Sequence, residues 1–200
     1  MLYTYDEKTL FVHQFMESQA KVADTQVTQS TSYPADGTVK ISVLNGSFEQ
    51  VAVRIPGWCS AFTANAPYVL KNGYAYFKNT ADIIITFSMD VKLYESNAHV
   101  QNNSGRVAVM RGPVVYCLEE VDNGKHLRSL RINSKAAFTA QSCEEYHVPV
   151  LLTEGLRKKE QDSLYPVYDD RYETVPLRFI PYFAFANRGV SEMLVWVHVI

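Results

Sequence analysis

Two hundred residues suffice for one large β domain or two small sandwiches, each with its own core. Hydrophobic residues make up 47% and charged residues 20%, a composition that excludes wholesale disorder. Nineteen basic side chains against twenty-one acidic ones leave a formal net charge of −2, so the charge balance excludes nucleic acid and an anionic membrane surface as expected partners.

Met1-Leu2-Tyr3 leads directly into strand-like sequence, with no signal-peptide pattern ahead of it. The run 9–15 is rich in β-favouring residues, and 38–43 alternates polar and apolar, the period of a half-buried strand. Further strands are expected at 51–55, 74–77, 83–87, 106–110, 114–118, 177–185 and 193–199. Turn chemistry separates them at Pro34-Ala35-Asp36-Gly37, Asn45-Gly46, Pro56-Gly57, Asn72-Gly73 and Asp122-Asn123-Gly124. The longest apolar runs, such as Ile83-Ile84-Ile85, are far short of a bilayer span. With no long helical period, and with thirteen tyrosines and ten phenylalanines suited to pleated surfaces, the expected fold is all-β. It is read as two consecutive antiparallel β-sandwich domains of jelly-roll-like form. The polar stretch 96–105 divides two strand-rich halves and sets the expected domains at 1–98 and 99–200. A second polar stretch, 156–163, is expected to be a solvated loop or short turn.

Three cysteines, Cys59, Cys117 and Cys143, stand at wide spacing with no zinc-binding cluster. They are expected to be buried structural thiols, with one disulfide and a spare thiol as the alternative. Glu119-Glu120 and Glu144-Glu145 are adjacent pairs. Neighbours in a strand point to opposite faces, so neither pair converges on one reacting bond. Asp169-Asp170, in a tyrosine-rich loop, is expected to form a solvated turn instead of a calcium site, which needs about six oxygen ligands or more. The five histidines, His13, His99, His126, His147 and His198, show no metal-binding spacing and are expected in structural or surface roles. Arg111-Gly112-Pro113 and Asn187-Arg188-Gly189 set arginine beside glycine, and both are expected to be structural joints that bond backbone carbonyls or a buried carboxylate.

Several fragments recur together in one order: Thr9-Leu10-Phe11-Val12-His13, Tyr33-Pro34-Ala35-Asp36-Gly37, Arg54-Ile55-Pro56-Gly57-Trp58-Cys59, the run from Gly105 to Glu119, the run from Ile180 to Gly189, and Met193-Leu194-Val195-Trp196. They resemble the C-terminal part of glycoside hydrolase family 127, the β-L-arabinofuranosidase-like family, over nearly the whole chain. The resemblance implies an N-terminal (α/α)6 barrel that carries the chemistry, followed by two β-sandwich domains. It implies a parent that hydrolyses β-linked L-arabinofuranose from plant-derived glycans. It also implies a cysteine nucleophile among glutamates and further cysteines that bind zinc, all on the barrel. The adjacent Cys-Cys pair that marks that centre is absent here, and none of Cys59, Cys117 or Cys143 lies in a matching motif. No catalytic residue, metal ligand or cofactor is therefore expected in this chain, zinc being expected in the parent's barrel, and the chain alone is expected to be inactive.

The chain is accordingly expected to be a non-catalytic accessory part of such an enzyme, supporting the barrel and taking part in dimerisation. Its expected partners are the parent's catalytic barrel, a second copy in a homodimer and a plant-derived glycan, with neither nucleic acid nor membrane. The parent is expected to be cytoplasmic or exported, any export signal lying upstream. The rival is a free-standing carbohydrate-binding module, with Trp58, Tyr74 and Tyr76 as its stacking residues. Trp58 follows a sharp Pro56-Gly57 exit from the 51–55 strand, and it is read as an anchor at an interface or sandwich edge in preference to a sugar platform. The two functions differ in where the rings lie, since a binding module exposes coplanar rings and a scaffold buries them. Exposed apolar surface is expected near Trp58 and Pro181-Tyr182-Phe183.

Overall fold

The computed structural model describes residues 1–200. Strands hold 48% of them and helical turns 6%, so the chain adopts the all-β architecture expected from its strand and turn pattern. No helix is long and apolar enough to cross a membrane. The chain divides into two units, Met1–Met89 and Asp90–Ile200. The polar stretch 96–105 lies inside the second, because Val91–Glu95 ahead of it pairs with Arg106–Arg111 behind it.

The first unit has ten strands: β1 (Tyr3–Tyr5), β2 (Thr9–Val12), β3 (Ser18–Val22), β4 (Thr25–Thr31), β5 (Thr38–Leu44), β6 (Gln50–Arg54), β7 (Phe62–Ala64), β8 (Val69–Lys71), β9 (Tyr74–Lys78) and β10 (Asp82–Phe87). They form two five-stranded sheets, β1-β2-β6-β9-β8 and β3-β4-β5-β10-β7, in which the pairing of β2 with β6 is parallel. Period-two alternation decides what each sheet buries. Leu10, Val12, Val51, Val53 and Phe77 of the first sheet share one core with Val27, Ile41, Ile83, Ile85 and Phe87 of the second. The Asn72-Gly73 turn joins β8 to β9 with both residues at positive φ, 51° and 77°, and Lys71 directly opposite Tyr74. That is the tight hairpin geometry such a pair favours. Gly37 closes its turn against β10: a Cβ there would lie 2.0 Å from the Phe87 carbonyl oxygen, a place for no residue but glycine.

The second unit contributes β11 (Val91–Glu95), β12 (Arg106–Arg111), β13 (Val114–Glu119), a four-residue helix α1 (Glu120–Asn123), β14 (Leu130–Ile132), β15 (Thr139–Gln141), β16 (Val150–Lys158), β17 (Tyr172–Pro181), β18 (Met193–Leu194) and β19 (Trp196–Val199). It keeps the all-β character but closes its sheet into a barrel, where strand spacing was read as a second sandwich. The closed path runs β12-β19-β14-β16-β17-β13 and returns through Met110 opposite Val115 and Arg111 opposite Val114. The Gly112-Pro113 hairpin makes that last contact local, while β11 and β18 remain at the ends of the sheet path. Val109, Tyr116, Leu118, Leu130, Leu151, Phe179 and Val197 fill the interior.

Candidate functional site

In the first sheet, residues that alternate with the core positions face outward. Phe11 of β2, Tyr74 and Tyr76 of β9, and His13 just past β2 meet there, all half-buried. Phe11 and His13 are near parallel, at 7° and 6.2 Å between centroids. Tyr74 stands perpendicular to both, at 89° to Phe11 and 85° to His13, and Tyr76 lies at 85° to Phe11. Edge-to-face contact is the preferred aromatic arrangement and adds to area burial. Beneath this layer Ala52 is fully buried and Thr9 is 3% exposed, although both face away from the sandwich core. Both ring nitrogens of His13 are engaged: Nδ1 with Tyr74 Oη at 2.8 Å and Nε2 with Thr4 Oγ1 at 2.6 Å. Burial, then the amino terminus and Arg54, lower the His13 pKa.

Trp58 lies at the end of the sandwich. Its ring stacks near Tyr33 at 24° and 6.4 Å and meets Phe87 at 72° and 6.1 Å. It is half-buried and packs against the core cluster. An open cleft of about 390 Å³ beside it is bordered by His13, Tyr33 and Arg54. Of the three aromatic residues singled out from the sequence, the fold thus brings Tyr74 and Tyr76 onto one sheet face and sets Trp58 at the sandwich end. Sequence reasoning did not name Phe11 and His13 as their companions, although the alternation Thr9, Phe11, His13 is the signal that places them on one face.

Two clusters of charged side chains stand out in the second unit. Glu119, 1% exposed, accepts from Arg188 Nη2 at 2.5 Å and from the Ala186 N–H at 2.9 Å. Arg188 also binds both oxygens of Asp122, which accepts from Arg178 Nη1 at 2.7 Å as well. Arg188 is therefore a joint on buried carboxylates. Cys117 is buried beside this cluster; burial, then the Glu119 charge, pushes its thiol up to about 12, so it is no thiolate at neutral pH. In the loop between β16 and β17, Asp169 accepts from Lys158 Nζ at 2.8 Å, Gln161 Nε2 at 2.6 Å and Arg171 Nε at 2.8 Å. The three cysteines are unpaired, Cys117 buried and Cys59 and Cys143 half-buried. No group of three or more His, Cys, Asp and Glu side chains gathers where a metal ion could be held.

Two family models match the chain. The one described as "Beta-L-arabinofuranosidase, GH127 middle domain" covers residues 9–87, and "Glycoside hydrolase family 127 C-terminal domain" covers residues 91–198. The non-reducing end β-L-arabinofuranosidase of Bifidobacterium longum subsp. longum is 33% identical over 224 residues, spanning 97% of this chain and 34% of that protein. The crystal structure of Ara127N-Se, a GH127 β-L-arabinofuranosidase from Geobacillus stearothermophilus T6, matches with a TM-score of 0.88 and 36% identity, over 100% of this chain and 35% of that one. A solved glycoside hydrolase matches with a TM-score of 0.84 and 27% identity, over 99% of this chain and 37% of that one. The chain spans about a third of the length of the curated relative, 34%.

Proposed function

This chain belongs to glycoside hydrolase family 127, and from that membership we propose that it is a non-catalytic accessory region of a β-L-arabinofuranosidase-like enzyme, supporting a catalytic barrel that is part of the longer protein. The observation that carries the proposal is coverage. The middle and C-terminal family models account for residues 9–87 and 91–198, while the same chain spans only 34% of its curated relative. Under this proposal the hydrolysis of β-L-arabinofuranosides, and the zinc that serves it, belong to the barrel.

Ring geometry supports a scaffold over a free-standing carbohydrate-binding module. On the first sheet Tyr74 packs edge to face against Phe11 and His13, half-buried, and Trp58 leans into the core cluster. In the second unit Leu164, Tyr165 and Val167 are 92%, 94% and 90% exposed, and Phe183 is 63% exposed. Apolar side chains so placed are proposed as contacts for the barrel or for a second copy of the chain.

The test is an assay of the purified chain on an aryl β-L-arabinofuranoside, with and without zinc. No turnover is expected. Turnover that survives repurification and disappears on changing a residue of this chain would overturn the proposal. Light scattering across a concentration series tests the partner surface separately: a mass above the monomer is expected at high concentration, and a clean monomer that binds no hydrophobic dye removes that part of the proposal.

A further inference from the structure

On the same outer face of the first sheet, one end of the aromatic layer opens into a groove of about 420 Å³ between β2, β6 and the β8–β9 hairpin. Tyr76 is among the residues that line it, perpendicular to Phe11 and directly opposite Val69 on β8. Lys78 lies two residues further along β9, and Lys71 lies opposite Tyr74, two residues the other way. Side chains two apart on a strand share a face, so both lysines flank the Tyr76 ring, their backbones separated by about 13 Å along the strand. Both lysines are exposed, and neither ammonium has an ion-pair or hydrogen-bond partner.

The charge in this groove is unbalanced. Asp6, its acidic residue, accepts from the backbone N–H groups of Lys8 and Thr9 at 2.9 and 2.7 Å and keeps its charge, so it offsets one of the two lysines. Arg54, cross-strand from Tyr74, borders the separate cleft beside Trp58. Gln50 donates its amide N–H to Thr9 Oγ1 at 2.9 Å, which leaves its carbonyl oxygen to accept from a ligand hydroxyl. With two lysines to one carboxylate, the groove lining is positive by one charge in a chain of net charge −2.

We propose that this groove binds an acidic oligosaccharide, a run of uronic-acid sugars that stacks one ring on Tyr76 and sets carboxylates against Lys71 and Lys78. A single sugar cannot meet two cations about 13 Å apart and the ring between them, whereas an extended polyanion with carboxylates at intervals can. The site uses the half of the aromatic layer that faces the groove. Tyr74, whose hydroxyl is bonded to His13, and Trp58, at the sandwich end, take no part.

Isothermal titration calorimetry of the full chain with tetragalacturonate, neutral arabinotetraose and poly-L-glutamate tests the site. Tetragalacturonate is expected to bind best, and to weaken by about tenfold as sodium chloride rises from about 20 to about 300 mM, since exposed charges are screened. Replacing both lysines, Lys71→Ala with Lys78→Ala, is expected to cost about tenfold or more in affinity, the effect of losing two charge contacts. Tyr76→Phe keeps the stacking face and is expected to bind as before, and Tyr76→Ala to lose binding. Should Tyr76→Ala fail to fold, the lysine pair decides, because both side chains are exposed. Absence of tetragalacturonate binding overturns the proposal. So does equal affinity for arabinotetraose that ignores the lysines, which would mark a neutral-sugar site. Equal affinity for poly-L-glutamate also overturns it, and would make the face a docking site for an acidic polypeptide.

Discussion

Arg188 Nη2 lies 2.5 Å from Glu119 Oε2, joining residues sixty-nine positions apart. The arginine comes from the loop after β17, and the glutamate ends β13. With Glu119 1% exposed and Asp122 also bound to the same guanidinium, two carboxylates depend on one cation that Arg178 only partly supplements. Removing one partner of a buried pair leaves an uncompensated charge, so Arg188→Met is expected to destabilise the chain by about 3–5 kcal/mol. Arg188→Lys keeps the charge but not the fork, and is expected to recover only part of the loss. Urea unfolding measures both. A loss under about 1 kcal/mol would mean that the pair behaves as a solvated one.

Asp169 sets up a dependence on pH. Hydrogen bonds from Lys158 first, then Arg171, hold its carboxyl at about 2, below the ordinary value of about 4. A carboxyl lowered in the folded state contributes stability that is fully present above its unfolded pKa and is lost as pH falls through the folded one. The clasp is therefore expected to open between about pH 4 and about pH 2. At neutral pH, Asp169→Asn is expected to mimic the acid state and to expose Tyr165 and Tyr168 to faster chymotrypsin cleavage. The acid-induced change in the near-ultraviolet tyrosine signal should be missing from that variant. Equal cleavage of both proteins would show that the clasp does not hold the loop.

What the sequence made legible, and what it hid, has physical causes. The strands with clean alternation were readable: in β10, Ile83, Ile85 and Phe87 are buried while Asp82, Ile84 and Thr86 are exposed. The β3–β4 hairpin was not, because it buries Thr25 and Gln29 where apolar residues would mark a strand, and it turns on Ala23-Asp24, with Ala23 at a φ of 54°. Gln29 is tolerated inside because its amide N–H groups reach Tyr3 Oη at 2.8 Å and the Gln14 carbonyl at 3.2 Å. Strand β16 escaped for a similar reason, since Glu154, Gly155 and Arg157 interrupt its apolar pattern. Barrel closure and the pairing of Arg188 with Glu119 are long-range facts that no local period records. Tyr74 and Tyr76 were legible as neighbours on one face, but that Phe11 would stand perpendicular to both depends on the parallel register of β2 with β6.

Gly155 tests the barrel. A Cβ at this position would lie 2.3 Å from Leu177 Cδ1 and 2.7 Å from the Arg131 carbonyl oxygen. Leu177 can shift, but the carbonyl belongs to β14, which pairs directly with β16. Overpacking of this kind costs about 1–3 kcal/mol and more where backbone must move, so Gly155→Ala is expected at the upper end. Thermal unfolding checks it, with a drop of several degrees expected. A melting temperature within one degree of the original would mean that β14 and β16 are less closely apposed than described.

Trp58 is the residue on which the scaffold and sugar-binding functions disagree most directly. Its indole is half-buried, near parallel to Tyr33 and edge-on to Phe87, which is 2% exposed. Burial is the main cause that raises the Tyr33 phenol, so the neighbour Trp58 covers lies in a partly dry environment. Truncating a packed aromatic removes its transfer free energy and opens a cavity, a loss of about 3–5 kcal/mol for fully buried rings. For a half-exposed ring, Trp58→Ala is expected to cost about 2–3 kcal/mol, with Trp58→Phe recovering part of it. Retardation in an arabinan-containing gel is expected to be the same for the original chain and for Trp58→Phe. If Trp58→Ala instead leaves the melting temperature unchanged and abolishes retardation, the indole serves as a sugar platform, and the anchor role assigned to it is wrong.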